Sequence, residues 1–353
     1  YTDHYPDAFV GRWPVNCVGD MDTIIDKTLA VDRNPIVDPE HYKRISIILG
    51  NRTGNEAQVY SHQVEAAALA NNYRNEGHTF RNKMVSQHFS KAYNGSKDWV
   101  TRPWAVPTWF RQTNSANSVV KVLNDSPALV SYHGHGYGTS WEYTKQSPMD
   151  LLRVNTGDRL FFVLDNSCTT GGAAAIVPYN ITESLLFNRK GGAYGMMSNT
   201  VTTYTGNPVF MGRLAAMDAN FFDKYYNDLS GTRKVFEPSL YVWGNGKRMG
   251  QVHLGMYLYL EELFFNGNPH NNHGFHQSIN VLYGDPECFL RMNQPTDLTV
   301  SAPGSVSVGA TQYKVSVESG ALVCLYSAEL GVHQTKVSHG GKAVFDLNIQ
   351  HPG

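Results

Sequence analysis

Apolar runs and amphipathic stretches alternate along most of this chain. "RISIILG" (44–50) is a short apolar run closed by glycine, the pattern of a buried strand. "YSHQVEAAALANNY" (60–73) has helical spacing and good helix formers, whereas 74–117 shows no clear period and reads as an irregular excursion. "SVVKVL" (118–123) and "PALVSYHG" (127–134) predict a helix followed by a strand. The rhythm repeats in "DRLFFVLDNSC" (158–168), a strand, and "TESLLFNRKGG", a helix with Thr182 as its predicted N-cap and Gly191 as its stop. "GAYGMMSN" (192–199) is another strand, 208–227 and 251–265 are long amphipathic helices, and "SINVLYGDPECFLR" (278–291) closes the segment as strand and turn. Strands separated by helices define an α/β class with a mostly parallel sheet covered on both faces. Near Pro295 the texture changes to alternating Val, Ser, Thr and Gly with a turn signal about every ten residues, which predicts a small β-sandwich.

Composition narrows the function classes. The 353 residues carry a net charge of −1, which argues against electrostatic capture of nucleic acid or of an anionic membrane. No apolar run reaches the ~20 residues of a membrane span. Only 17% of residues are charged while Tyr numbers 20 and Gly 32, a lean, aromatic surface that suits a secreted protein. The four cysteines, Cys17, Cys168, Cys288 and Cys324, form no CxxC pair and no disulfide framework. The chain opens at Tyr1 without a methionine or signal segment, so a trimmed piece with its targeting signal elsewhere is expected.

Two strand ends carry the reactive residues. "ALVSYHGHG" delivers His133 and His135, and "FFVLDNSCTTGG" delivers Cys168; both run into glycine-rich turns. In open parallel sheets, sites form at the carboxyl ends of strands. A thiol and an imidazole brought together there suit acyl transfer, with the thiolate attacking a carbonyl carbon and the histidine protonating the departing amine. The amides of Gly136 and Cys168 are the candidate oxyanion donors. His133 reads as a core or capping residue. The spacing of His270, His273 and His276 in "HNNHGFH" invites a metal reading, but flanking Asn, Pro and Gly favour a solvated loop. Cys17, Cys288 and Cys324 read as structural thiols, and the aromatic run 99–110 as core packing or an interface rim.

At these residues the chain resembles the gingipain-type cysteine peptidases, whose caspase-like catalytic domain is followed by an immunoglobulin-like domain. The histidine motif corresponds to Gly134-His135-Gly136, and the cysteine motif to Asp165-Asn166-Ser167-Cys168. Trp141, "YPDAFVGRWPV" (5–15) and "VLYGDPECFLR" (281–291) match further landmarks in the same order. The resemblance implies a remnant of a first catalytic subdomain at 1–44, a caspase-like domain at 45–294 and an immunoglobulin-like sandwich at 295–353. It also implies a secreted or cell-surface endopeptidase with Cys168 as nucleophile, His135 as general acid and base, and Asn166, Tyr204 or Thr205 lining the substrate pocket. Its partners are peptide or protein substrates and its own cleaved N-terminal fragment or prodomain. No cofactor serves the chemistry, and a structural calcium is expected although no loop shows an assignable ligand spacing.

Three departures from the family pattern bear on these expectations. The acidic residue that orients the histidine is replaced by Gly50-Asn51-Arg52-Thr53-Gly54; Glu56 is the nearest carboxylate, with a dyad or a backbone carbonyl as alternatives. "AQVYSHQ" (57–63) lacks the carboxylate that arginine-specific members use, which argues against trypsin-like cleavage. Most of the first subdomain has no counterpart, so an additional N-terminal portion is expected. The rival from another class is a catalytically lapsed descendant that serves as a binding or scaffold protein.

Overall fold

A computed structural model describes residues 8–42, 44–50, 116–134, 136–141, 147–172, 179–202, 248–254, 279–291 and 294–351. The chain divides into two compact units, Tyr1–Gln294 and Pro295–Gly353.

In chain order the first unit comprises helices α1 (Val18–Arg33) and α2 (Pro39–Tyr42), strand β1 (Ile45–Gly50), helix α3 (Ala116–Asn124) and strand β2 (Leu129–Gly134). A short hairpin of β3 (Gly136–Tyr137) and β4 (Ser140–Trp141) follows, then α4 (Pro148–Leu151), β5 (Phe161–Asn166), α5 (Ile181–Leu186), β6 (Ala193–Asn199) and β7 (Asn280–Tyr283). The five-stranded sheet has the order β1-β2-β5-β6-β7, and only the last pair is antiparallel.

The central strands are apolar on both faces because both faces are covered. Phe161 to Asp165 and all seven residues of β6 are buried. One face packs Val130, Tyr132, Phe161, Val163 and Met196 against α3, α5 and Ile24 of α1. On the other, Met249 presses on Gly195 and Phe162; a Cβ at Gly195 would lie 2.5 Å from Met249 Sδ, so only glycine allows this approach. Burying these faces contributes on the order of 2 kcal/mol of stabilisation per large apolar side chain.

Two segments differ from the sequence expectation. The helix after Cys168 is capped by Asn180, not Thr182. Asn180 and Glu183 form a reciprocal capping box, with Glu183 N donating to Asn180 Oδ1 at 2.8 Å and Asn180 N to Glu183 Oε2 at 2.9 Å. Thr182 instead donates its hydroxyl to Thr170 O at 3.0 Å, and the helix ends at Phe187, before Gly191 is reached. The second segment is α1, sixteen residues for which the apolar pattern predicts no element. It turns Asp20, Thr23, Lys27 and Thr28 inward while Val18, Met21 and Leu29 stay exposed. Lys27 Nζ donates to the carbonyls of Leu185 (3.1 Å), Leu186 (2.7 Å) and Ala193 (3.1 Å), which anchors α1 to the end of α5 and the start of β6.

Residues 8–15 of the first landmark meet the second, 281–291. Arg12 N donates to Leu282 O at 2.8 Å, Gly284 N returns a bond to Arg12 O at 3.1 Å, and Gly250 packs on Phe9 and Pro286. Residues 8–42 thus belong to the same compact unit as the sheet.

The second unit holds β8 (Gln312–Ser316), β9 (Leu322–Ser327), β10 (Val332–Val337) and β11 (Lys342–Asp346). They pair antiparallel as β9 with β10 and β8 with β11, around Phe345, Val315 and Ala343 with Val323 and Leu325 against them. Side-chain burial alternates along β9 and β10, as the period of two in the sequence predicts.

Candidate active site

The parallel pairing of β2 with β5 runs to His133 opposite Asn166, so the two chains leave the sheet side by side. Beyond that register the first strand proceeds through Gly134 toward β3, and the second through Ser167 to Cys168. Gly136 is buried against this turn: a Cβ there would lie 2.6 Å from Ser167 Oγ and 2.9 Å from Cys168 O. Any other residue at 136 would push the two strand ends apart.

Cys168 is half-buried and in no disulfide. The next residue, Thr169, takes a left-handed φ of 57°, which costs a non-glycine residue on the order of 1 kcal/mol. Tertiary bonds hold this sharp turn. Thr169 N donates to Val201 O at 3.1 Å, Gly171 N to Asn199 O at 3.0 Å, and Asn199 Nδ2 to Ser167 O at 2.8 Å. Asn280 Nδ2 steadies Asn199 at 2.7 Å. Cys168 therefore sits on a turn fixed from the ends of β6 and β7.

Beneath it lies a buried polar network. Asp165 accepts from Ser167 Oγ at 2.5 Å on Oδ1, and from Trp141 Nε1 at 3.0 Å and Ser198 Oγ at 3.4 Å on Oδ2. Thr170 Oγ1 touches Ser167 Oγ (3.0 Å) and Ser198 Oγ (2.8 Å). The Trp141 ring stacks on Tyr132 with centroids 4.5 Å apart. Pattern reading missed Ser167, Thr170, Ser198 and Asn199 as supporting residues. The available signal was polarity at the ends of otherwise apolar runs, "LDNS" after β5 and "SN" closing β6.

Of the other thiols, Cys288 is buried, and that burial pushes its pKa up to about 12, which leaves an unreactive thiol. Cys17 and Cys324 are exposed; the structural role expected from sequence does not hold for them, because Cys17 precedes α1 at the surface and Cys324 is on the outward face of β9.

His135, Glu56, Tyr204 and Thr205 lie outside the described residues, as do His270, His273, His276 and the aromatic run 99–110. Asn166 is placed by its backbone at the end of β5. Among the described residues no group of three or more His, Cys, Asp or Glu could hold a metal ion. Nor is any described helix long and apolar enough to cross a membrane. An open groove lined by Asp22, Asp26, Lys27 and Arg189 lies at the opposite end of the sheet and carries no cysteine.

The mostly parallel sheet thus carries a thiol on a fixed turn at one strand's carboxyl end, packed against Gly136 beyond the end of the neighbouring strand. Residues 1–291 match the model of peptidase family C25, and the chain belongs to that family of gingipain-type cysteine peptidases. It is similar to gingipain R2 of Porphyromonas gingivalis, 22% identical over 353 residues that cover 98% of this chain and 41% of that protein. A Lys-gingipain of the same organism is 19% identical over 339 residues, 92% of this chain and 17% of that one. The chain thus spans about two fifths or less of the length of these curated relatives. The crystal structure of the Arg-specific cysteine proteinase gingipain R superposes with a TM-score of 0.71 at 19% identity, covering 99% of this chain and 71% of that one. A complex of the pro- and mature domains of the Porphyromonas gingivalis enzyme matches equally, at a TM-score of 0.71 and 18% identity over 99% of this chain and 72% of that one. These likenesses show the fold.

Proposed function

We propose that this chain is a secreted or cell-surface cysteine endopeptidase with Cys168 as nucleophile and His135 as general acid and base. The Cys168 thiolate adds to the scissile carbonyl and forms the S–C bond. The amides of Gly136 and Cys168 receive the oxyanion. His135 protonates the leaving amine as the C–N bond breaks. Water, giving its proton to His135, then hydrolyses the thioester and restores the thiol. Asn166 with Tyr204 or Thr205 lines the pocket for the side chain before the scissile bond, and Glu56 is the candidate to orient His135. The chemistry uses no cofactor; a structural calcium belongs to the reading as a stabilising ion only. Residues 295–353 serve as an immunoglobulin-like module without catalytic residues. Protein substrates, and a pro-segment or cleaved N-terminal fragment, are the partners.

One observation carries this reading: the absence of room for a Cβ at Gly136 against Ser167 and Cys168. It supports a shared cleft for positions 135 and 168 at the carboxyl end of the sheet. The test is covalent labelling with a peptidyl acyloxymethyl ketone, followed by peptide mapping and turnover of a peptide library. Labelling should fall on Cys168, vanish in Cys168→Ala and drop sharply in His135→Ala. Labelling confined to the exposed Cys17 or Cys324, with no turnover, would leave a binding protein on a peptidase scaffold.

A further inference from the structure

We propose that Asp165 is a positioning residue of this site, a buried carboxylate tying the histidine-bearing strand end to the cysteine-bearing one. The inference deepens the peptidase reading and rests on it. Asp165 is fully buried, and each carboxylate oxygen serves a different arm. Oδ2 accepts from Trp141 Nε1 at 3.0 Å. Trp141 is the antiparallel partner of Gly136, the residue after His135, and its stack on Tyr132 ties the hairpin back to β2. Oδ1 accepts from Ser167 Oγ at 2.5 Å, and Ser167 directly precedes Cys168.

The chemistry requires an acceptor on both sides. An indole N–H can only donate, and a serine hydroxyl that also meets Thr170 Oγ1 at 3.0 Å is held best by an acceptor. A carboxylate supplies two oxygens about 2.2 Å apart at the end of a short, stiff side chain, and its bonds to N–H and O–H are the charge-assisted kind. An apolar residue at 165 would take this acceptor from both buried donors. The two arms touch at Gly136, so a shift of either moves the sulfur relative to the neighbouring strand end. Among the described residues Asp165 acts through Trp141 and Ser167.

The experiment measures kcat and KM for peptide hydrolysis in Trp141→Phe, Ser167→Ala, Asp165→Asn, Asp165→Ala and the control Leu164→Ala, with near-UV circular dichroism and melting temperature for each. Trp141→Phe and Ser167→Ala each cut one tie, the second at nearly constant volume and the first with a smaller ring still able to stack on Tyr132. Each should lower kcat about tenfold or more with KM within about twofold, as a misplaced reacting pair does. Asp165→Asn can still accept from Trp141 and can donate to a reversed Ser167 hydroxyl, so it should retain far more kcat than Asp165→Ala. Leu164→Ala opens a cavity on the opposite face of β5 and should lower the melting temperature while keeping kcat. If Asp165→Ala fails to fold, the two single-tie variants carry the test. Folded Trp141→Phe and Ser167→Ala enzymes with kcat within twofold of wild type would overturn the proposal, as would a kcat loss in Leu164→Ala equal to theirs. A wild-type protein that neither labels at Cys168 nor cleaves peptides would overturn the peptidase reading itself, and this one with it.

Discussion

The first unit buries an ionisable side chain at each end of its sheet, and the two are satisfied in different ways. At the carboxyl end, Asp165 is held by side chains: an indole and two hydroxyls. At the amino end, roughly 17 Å away along strands of this length, Lys27 is held by three backbone carbonyls. Backbone partners belong to the fold, since Leu185 and Leu186 are the last carbonyls of α5 and lack helical partners of their own. Lys27 caps a helix end that would otherwise be left open. Side-chain partners can be aimed, and those of Asp165 point to the two strand ends where the chemistry is proposed. A buried charge at the amino end should therefore act on stability, and one at the carboxyl end on rate.

The largest effect that could break this comparison is at the sulfur. Cys168→Ala should lower peptide turnover by about 10⁴-fold or more, because the nucleophile acts as a unit with its base. The melting temperature should stay within a few degrees, since the turn is held by Thr169, Gly171 and Asn199 rather than by the thiol. A large stability loss would make the thiol a structural group after all. Lys27→Met tests the other end. Orphaning three carbonyls should cost about 3 kcal/mol in urea unfolding, with kcat of the folded fraction unchanged. A fall in kcat without loss of stability would erase the division between the two ends.

Much of the carboxyl end is legible in the sequence, and much of the amino end is not. β5 and β6 declare themselves because strands buried on both faces read as continuous apolar runs, and Cys168 follows directly from where the first run stops. α1 stays hidden because it inverts the usual helix pattern. Asp20, Lys27 and Thr28 face inward; Asp20 accepts from Asn16 N and Lys27 donates to three carbonyls, partners that no periodicity encodes. The cap of α5 was readable two ways, since both Asn180 and Thr182 are good N-caps; the Glu three positions after Asn180 decides it through the capping box. The tie between Trp141 and Asp165 is the hardest part. The two are 24 residues apart, and only the fold-back of the β3–β4 hairpin over β5 brings them together. An aspartate within "FFVLDN" signals a buried carboxylate without indicating its partner.

The smallest expected effect sharpens the comparison through pH. Burial pushes the Lys27 amine from its ordinary 10.5 down to about 7. Below pH 7 the amine is charged in both the folded and the unfolded chain, and above 10.5 it is neutral in both. Between these values the unfolded chain holds a proton that the folded protein has released, so stability rises with pH across that window. The slope should approach 1.4 kcal/mol per pH unit. Other lysines and tyrosines titrate there too, so the quantity to measure is the difference between wild type and Lys27→Met in urea unfolding at pH 7, 8 and 9. That difference should grow with pH. A flat difference would mean that the three carbonyls, one for each N–H of an ammonium, outweigh burial and keep Lys27 charged. The amino end would then be anchored by a cation, and only the neutral-amine account of Lys27 would fall.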